Sequence, residues 1–274
     1  MLNTPAVGIP AAAGYASPAE ELKRTLNQIK AEAITSDGLE SDYKAILPSQ
    51  TYSQYRSLTS ELANFDYLVL KAPDEQMAFW INLYNALVID AVIQAKVQKS
   101  VTESWLGILG FFQKAAYLIN GQRFSLTDIE HGVQWANRGF PYFPGPHFAV
   151  NDPRSGAVLE GLDPRIHFAL NCASRSCPPI GVFHPDQLYL QLDLAARSFI
   201  NADSVIDYER KTISISRFFR WYAVDFGGKN GVINLLTRYL KVPENGRPVP
   251  GQFEKFRLIY HPYDWGLNTT NPGI

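Results

Sequence analysis

Cysteine and histidine, the side chains most used for metal binding and nucleophilic catalysis, are scarce in this sequence of 274 residues. It contains two cysteines and five histidines. Two cysteines permit one disulfide and require none. They are too few for a disulfide-rich scaffold or for a zinc site built from CxxC pairs. Any chemistry that depends on sulfur must therefore use Cys172 or Cys177, which lie within six positions of each other.

An excess of charge of either sign is also absent. The chain has 25 Lys and Arg against 26 Asp and Glu, a formal net charge of −1. Its basic residues are scattered, which argues against nucleic acid as a partner. No stretch approaches the length and apolarity of a membrane span, and the first residues lack the pattern of a signal peptide. The compartment stays open between cytoplasmic and exported with a signal removed, and the oligomeric state is not predicted.

What the sequence does contain is typical of a folded globular protein. Hydrophobic residues make up 46% and charged residues 19% of the chain. Residues 1–16 are rich in Ala, Gly and Pro and are expected to be a flexible lead-in. Helical patterns over 17–65 predict an N-terminal extension that forms one compact unit with the main domain, which is expected to span 66–274.

The strongest helical pattern covers residues 74–97, with Asp74 as the expected N-cap and no Gly or Pro in the interior. Apolar residues occupy nearly every side, so this helix should be central and buried. Asn120-Gly121 predicts a hairpin, a second hairpin is expected over 205–216, and a last strand near the C-terminus. Helices cluster with short strands instead of alternating with them. The predicted fold is α+β, with a long central helix on a small, mainly antiparallel sheet and further helices around it.

The segment "RIHFALNC" (165–172) alternates like a strand, with His167 on a mixed face and Cys172 on an apolar one. Cys177 follows in a loop that Pro178 and Pro179 keep irregular. The nearby Arg175 could stabilise a thiolate at Cys177, and the imidazole of His167 could take the thiol proton. Three alternatives stay open: a disulfide between the two cysteines, a zinc site with His167 or His184, and two inert structural cysteines.

A second polar group lies on the central helix, where Asn82 and Asn85 share one face and Trp80 and Tyr84 share another. Buried amides need hydrogen-bond partners, and the simplest interpretation is a structural network that ties the helix to a loop. The functional interpretation is that one amide orients a histidine or stabilises developing negative charge. Glu130 is three residues after Thr127, which favours a helix-capping role over a catalytic one.

Four blocks of the sequence resemble the DUF547 family, a domain of unknown function: "FWINLYNAL" (79–87), "LTDIEHG" (126–132), "DPRIHFALNCASRSCPPI" (163–180) and "YDWGLN" (263–268). The resemblance implies a family found widely in bacteria and plants, some of whose members carry export signals. It implies no reaction. The family's motif positions correspond here to Trp80, Asn82, Tyr84, Asn85, Glu130, Arg165, His167, Cys177 and Asp264.

A fainter, fold-level likeness concerns the papain-like and transglutaminase-like cysteine enzymes, which also combine a central helix with a strand-borne histidine. The present sequence departs from their order, because its central helix has no cysteine and Cys177 follows His167. A likeness at this level carries no function by itself.

The sequence thus supports two hypotheses, and whether the protein is an enzyme stays uncertain. The first is a thiol-dependent hydrolase or transferase acting on a peptide-like or small-thiol substrate such as glutathione. Cys177, His167, Asn82 and Asn85 would be its catalytic residues, and the expected binding residues are Arg165, Asn171, Arg175, Tyr84, Glu130 and Asp264. The alternative is a non-catalytic module that binds a small molecule, peptide or partner in a polar cleft. No cofactor and no metal are expected in either case.

Overall fold

The computed structural model describes residues 1–3, 17–103, 107–140, 145–242 and 251–271. The α-helices are α1 (Pro18–Ala33), α2 (Tyr43–Ile46), α3 (Gln50–Leu62), α4 (Pro73–Gln94), α5 (Gly107–Lys114), α6 (Leu188–Asp203), α7 (Phe218–Trp221) and α8 (Gly228–Tyr239). The strands are β1 (Ala116–Ile119), β2 (Gln122–Ser125), β3 (Val205–Asp207), β4 (Thr212–Ser216) and β5 (Arg257–His261). Helices predominate and the strands form two small sheets without regular alternation of strand and helix, which confirms the α+β class.

Helix α4 is the central helix that the sequence predicts, and every residue from Met77 to Ile93 is buried. It begins one residue before the expected cap, because Pro73 is well suited to the first helical position. This helix is long and apolar enough to cross a membrane, so the expectation that no stretch approaches such a span is wrong for it. However, 94% of the most apolar stretch of this helix is buried inside the protein, which is typical of a core helix that does not cross a membrane.

Helices α1 and α3 pack on α4, and their apolar side chains belong to the same hydrophobic cluster as those of α4. A buried charge joins these elements: the fully buried carboxylate of Asp90 accepts hydrogen bonds from Tyr52, Tyr117 and Arg56. At the chain start, Asn3 is 1% exposed and bonds the backbone of the α3–β1 region. Asn3 is therefore not part of a flexible lead-in, and residues 4–16 lie outside the described residues.

The first hairpin, β1–β2, forms as predicted and packs beside α4. Asn120 and Gly121 have φ values of 50° and 69°, the left-handed backbone that a two-residue hairpin turn of this kind requires. Strand β2 then brings Phe124 against Trp80 of α4, with ring centroids 4.9 Å apart.

A second hydrophobic cluster forms around a three-stranded sheet of order β3–β4–β5. Strands β3 and β4 make the predicted antiparallel hairpin, whereas β5 runs parallel to β4. Helices α6, α7 and α8 cover this sheet with side chains that include Phe199, Phe219 and Leu236. The sheets are therefore one antiparallel pair and one mixed sheet.

The segment that joins the two clusters is not the predicted strand. Pro164–Phe168 is a short 3₁₀ helix, in which the Asp163 side chain accepts a hydrogen bond from the Arg165 N–H. An Asp cap followed by Pro at the first helical position outweighs the apolar alternation. Ile166 consequently enters the α4 cluster and Phe168 the sheet cluster. The face assignment made for a strand is wrong.

A seven-residue π-helix, Asp128–Gln134, follows β2 and lies against α4. Thr127 makes no side-chain capping bond, so the expected capping role of Glu130 is wrong. In a π-helix one extra residue is accommodated per turn, and such segments often occur at functional sites. In the segment after this helix, residues 141–144 lie outside the described residues, and a 3₁₀ helix follows at Pro153–Ala157.

Candidate functional site

A cavity of about 180 Å³ lies where the two hydrophobic clusters meet. We call it the central cavity. Its polar lining comes from α4, the π-helix and the 164–178 segment, and much of its aromatic lining comes from α7 and the C-terminal segment. The side chains that line it include Tyr84, Glu130, His131, His167, Cys172, Cys177, Trp221, Tyr222, Tyr263 and Trp265. The cavity is small compared with the roughly 300–1,000 Å³ of typical ligand sites, so it suits a small ligand or one part of a larger one.

Glu130 is the acidic group of this cavity. Its Oε2 accepts a hydrogen bond of 2.9 Å from the Tyr84 hydroxyl, and Tyr222 also hydrogen-bonds the carboxyl. Burial raises the pKa of Glu130 to about 7, although the two tyrosine hydrogen bonds favour the carboxylate and oppose the shift. A carboxyl group with a pKa near neutrality can both donate and accept a proton under ordinary conditions.

His167 lines the same cavity and is held by a carboxylate that the sequence had not revealed. Its Nε2 lies 3.1 Å from Oδ2 of Asp225, and its ring stacks on Tyr222 with centroids 4.4 Å apart. Burial lowers the pKa of His167 even though the Asp225 charge opposes this. Partial burial favours neutral Asp225, but the interactions with His167 and Arg138 outweigh it and lower the pKa of Asp225. A neutral imidazole beside an ionised carboxylate results.

A second histidine, His131, also lines the cavity. It is 6% exposed and stacks on Phe140 at 4.1 Å. Its Nδ1 lies 3.2 Å from the carbonyl oxygen of Gly139, so Nδ1 carries the proton and Nε2 is the acceptor. Burial lowers the pKa of His131 to about 3, and this ring is neutral at any ordinary pH.

Cys172 and Cys177 form a disulfide, the first of the three alternatives. Cys177 is therefore no free thiol in this state, and the zinc alternative is wrong for the same reason. Cys172 is the more exposed of the two, and Cys177 is 5% exposed, the reverse of the expected core and loop positions. Across the described residues, no three His, Cys, Asp or Glu side chains come together as a metal site.

The sulfur atoms nevertheless lie in the cavity wall, next to hydrogen-bond donors. The backbone N–H of Cys172 donates to Sγ of Cys177 over 2.9 Å. The Tyr263 hydroxyl lies 3.1 Å from the same sulfur and 3.2 Å from Sγ of Cys172. His167 and Cys177 share the cavity, whereas Arg175 is turned outward, 3.6 Å from Asp264, with both side chains more than half exposed.

The three asparagines predicted for the site bind backbone instead of the cavity. Asn82 exchanges two hydrogen bonds with the backbone of Phe183. Asn85 donates to the carbonyl of Ala169 and accepts from the N–H of Asn171. The side chain of Asn171 in turn spans its own loop, from the N–H of Ala173 to the carbonyl of Pro178. This is the structural network that the sequence offered as the simpler interpretation.

Arg165 also lies away from the central cavity. Its guanidinium pairs with Asp163 and Asp193, and these carboxylates raise its pKa. The predicted residues that the fold brings together at the cavity are thus Tyr84, Glu130, His167 and Cys177. Asp225, Tyr222 and Tyr263 were missed. The aromatic richness of "RFFRWYAVDFG" and "YDWGLN" is the one signal that could have indicated them.

These features define an α+β protein whose central cavity is lined by aromatic rings, one glutamate and two histidines. Residues 69–200 match the family model described as "Protein of unknown function, DUF547", which confirms the resemblance of the sequence blocks to that family. Three of the four sequence blocks lie within the match, and the block at 263–268 lies beyond it. No curated protein and no solved structure matches the chain. The papain-like likeness therefore has no support.

Proposed function

We propose that the central cavity is the active site of a small-molecule enzyme of the hydrolase or transferase class, in which Glu130 and His167 transfer protons. The observation that carries the proposal is the position of Glu130, with a pKa of about 7, in the same small cavity as the His167–Asp225 pair. Perturbed titratable groups that share a cleft are the usual mark of catalytic sites.

The two groups have different tasks in this proposal. Nε2 of His167 is engaged by Asp225, which leaves Nδ1 as the nitrogen that accepts a proton from a nucleophile such as water. Asp225 orients the ring and stabilises the imidazolium that forms. Protonated Glu130 donates its proton to the leaving group and is held in place by Tyr84 and Tyr222. Asp225 is thus a positioning residue, and Glu130 and His167 are the catalytic residues.

The test is turnover of a panel of p-nitrophenyl esters and aminoacyl p-nitroanilides by the intact protein. We expect Glu130→Gln to lower kcat by about 10²- to 10⁴-fold, the usual contribution of one acid–base group. We expect the pH profile of kcat/KM to lose its limb near pH 7 in this variant. Asp225→Asn should shift the limb that belongs to His167. Turnover that is unchanged in Glu130→Gln would falsify the proposal.

A second candidate retains the thiol chemistry expected from the sequence, in the reduced protein. Cleavage of the disulfide releases Cys177 at the cavity wall, where the Cys172 N–H and the Tyr263 hydroxyl would stabilise its thiolate. His167 would serve as base, and a peptide-like or small-thiol substrate would suit the site. Asn82 and Asn85, bound to backbone, would keep the loop in place without contacting the substrate.

This candidate is tested by the pH dependence of iodoacetamide alkylation at each cysteine before and after reduction, read by peptide mass spectrometry. Rapid labelling of reduced Cys177 below pH 7, slowed in Tyr263→Phe, would support it. Labelling at the rate of an ordinary thiol, with no effect of Tyr263→Phe, would exclude it and leave the acid–base enzyme.

A further inference from the structure

The charges that the central cavity can present to a ligand are all of one sign. None of the described residues that line it is Lys or Arg. His131 and His167 are neutral at pH 7, because burial lowers the pKa of each ring. The remaining acid, Glu130, therefore carries whatever charge the wall has. An anionic ligand would find no ionic partner here and would lose its hydration.

Glu130 also differs from the other buried acids of the protein in its partners. Asp90 pairs with Arg56, Asp128 with Arg154 and Asp225 with Arg138, and Asp203 lies 3.3 Å from His261. Glu130 has only tyrosine hydroxyls as partners, and no ion pair involves it among the described residues. A cationic group in the cavity would pair with the Glu130 carboxylate, as cationic side chains pair with the other acids.

The wall next to Glu130 is a cluster of aromatic rings that can hold a cation. Trp221 and Trp265 are nearly parallel with centroids 5.8 Å apart, and Tyr263 lies 5.2 Å from Trp221 and 4.6 Å from Trp265. Glu130 lines the same cavity as these rings, and its hydrogen-bond partner Tyr222 is the neighbour of Trp221 in the chain. Aromatic faces bind organic cations within about 6 Å of the ring centroid, and quaternary ammonium groups especially.

We propose that the ligand of the central cavity carries an organic cation, a protonated or quaternary amine. The cation packs on Trp221, Tyr263 and Trp265, and its charge pairs with the carboxylate that Glu130 forms when it gives up its proton. The inference rests on the proposed function in one respect, that the cavity is a small-molecule site. It adds the charge and chemical class of the molecule bound there.

The experiment compares three probes of nearly the same shape by isothermal titration calorimetry at pH 8, on the intact protein. Choline is cationic, 3,3-dimethyl-1-butanol is its neutral carbon analogue, and 3,3-dimethylbutanoate is anionic. We expect choline to bind at least about tenfold more tightly than the neutral alcohol, since cation–π contacts and one carboxylate both favour it. We expect no binding of the anion.

Three variants separate the contributions. Trp265→Leu should weaken choline about tenfold and change the affinity for the neutral alcohol much less. Glu130→Gln, which keeps the size of the side chain, should remove most of the remaining preference for charge. Tyr189→Leu changes an aromatic side chain that is 52% exposed and outside the cavity, and it serves as the matched control.

The outcomes distinguish this inference from the proposed function. If the neutral alcohol or the anion binds as tightly as choline, the cationic ligand is wrong while the cavity remains a small-molecule site. If choline binds equally well to Trp265→Leu and Glu130→Gln, it binds elsewhere and the inference is likewise overturned. If none of the three binds at millimolar concentration, the inference is rejected, and the turnover of Glu130→Gln decides the proposed function separately.

Discussion

At the scale of single residues, Glu130 shows how position changes the chemistry of an ordinary side chain. In the sequence it occupies a capping position after Thr127, and the same spacing in an α-helix would have directed it at the backbone. The π-helix instead turns it toward Tyr84, into an aromatic cavity. The resulting pKa of about 7 is a property of the folded state alone, so it must contribute to the pH dependence of stability.

Because the pKa of Glu130 is higher in the folded than in the unfolded state, its contribution to stability is complete below about pH 4.5 and is lost as the pH rises through 7. The loss amounts to about 3 kcal/mol. We expect Glu130→Gln to remove this part of the pH dependence. Urea unfolding of both proteins between pH 4 and 8 measures it. A constant difference in unfolding free energy across this range would contradict the raised pKa.

At the scale of secondary structure, local patterns predicted elements well wherever the chain's own neighbours decide the conformation. The central helix α4, the Asn120-Gly121 hairpin and the β3–β4 hairpin all form as expected. The strand predicted for residues 165–172 does not form, because Asp163 and Pro164 favour a 3₁₀ helix despite the alternating pattern.

The candidate site was predicted only in part, for a different reason. Tyr84, Glu130, His167 and Cys177 were identified from local motifs. Their partner Asp225 is 58 residues from His167 and lies on the turn after α7, and no local pattern encodes a contact at that distance. The choice between a thiol and a disulfide depends on the distance between two sulfur atoms, which spacing alone left open.

Helix α4 holds the loop that carries the cysteines, and Asn85 is the main point of attachment. We expect Asn85→Ala to lower the free energy of unfolding by about 2–4 kcal/mol, because it leaves the Asn171 N–H and the Ala169 carbonyl buried without partners. Chemical denaturation measures the change. Glu75→Ala, at the exposed start of the same helix, is the control and should cost less than about 1 kcal/mol. Equal losses in the two variants would contradict the structural role of Asn85.

At the scale of the whole molecule, the N-terminal helices share a core with α4, and the Asp90 network is the polar link between them. The carboxylate is fully buried, and Arg56, whose side chain is 31% exposed, is its only cationic partner among the described residues. Burial raises the pKa of Asp90, but Arg56 and two tyrosines oppose that shift. Removing one partner of such a pair leaves a buried charge without compensation.

We therefore expect Arg56→Met to destabilise the protein by about 3 kcal/mol at pH 7. This is the lower end of the usual cost of removing one partner of a buried ion pair, because Arg56 is partly exposed. The loss should shrink as the pH falls toward 4, since Asp90 can then take up a proton and become neutral. Thermal or urea unfolding of the variant at both pH values tests this. Arg24→Met, in an exposed ion pair of α1, should change stability by less than about 1 kcal/mol.

The central cavity draws its two kinds of lining from different parts of the chain. Its titratable groups, Glu130 and His167, lie within residues 69–200, the segment that matches the family model. Its aromatic wall of Trp221, Tyr263 and Trp265 comes from the last third of the sequence. In the proposed enzyme the two linings are nevertheless linked, because Asp225 and Tyr222, which hold His167 and Glu130, also come from the last third of the sequence. In the proposed enzyme, the last third of the sequence would therefore set both which molecule is bound and how the two reacting side chains are oriented.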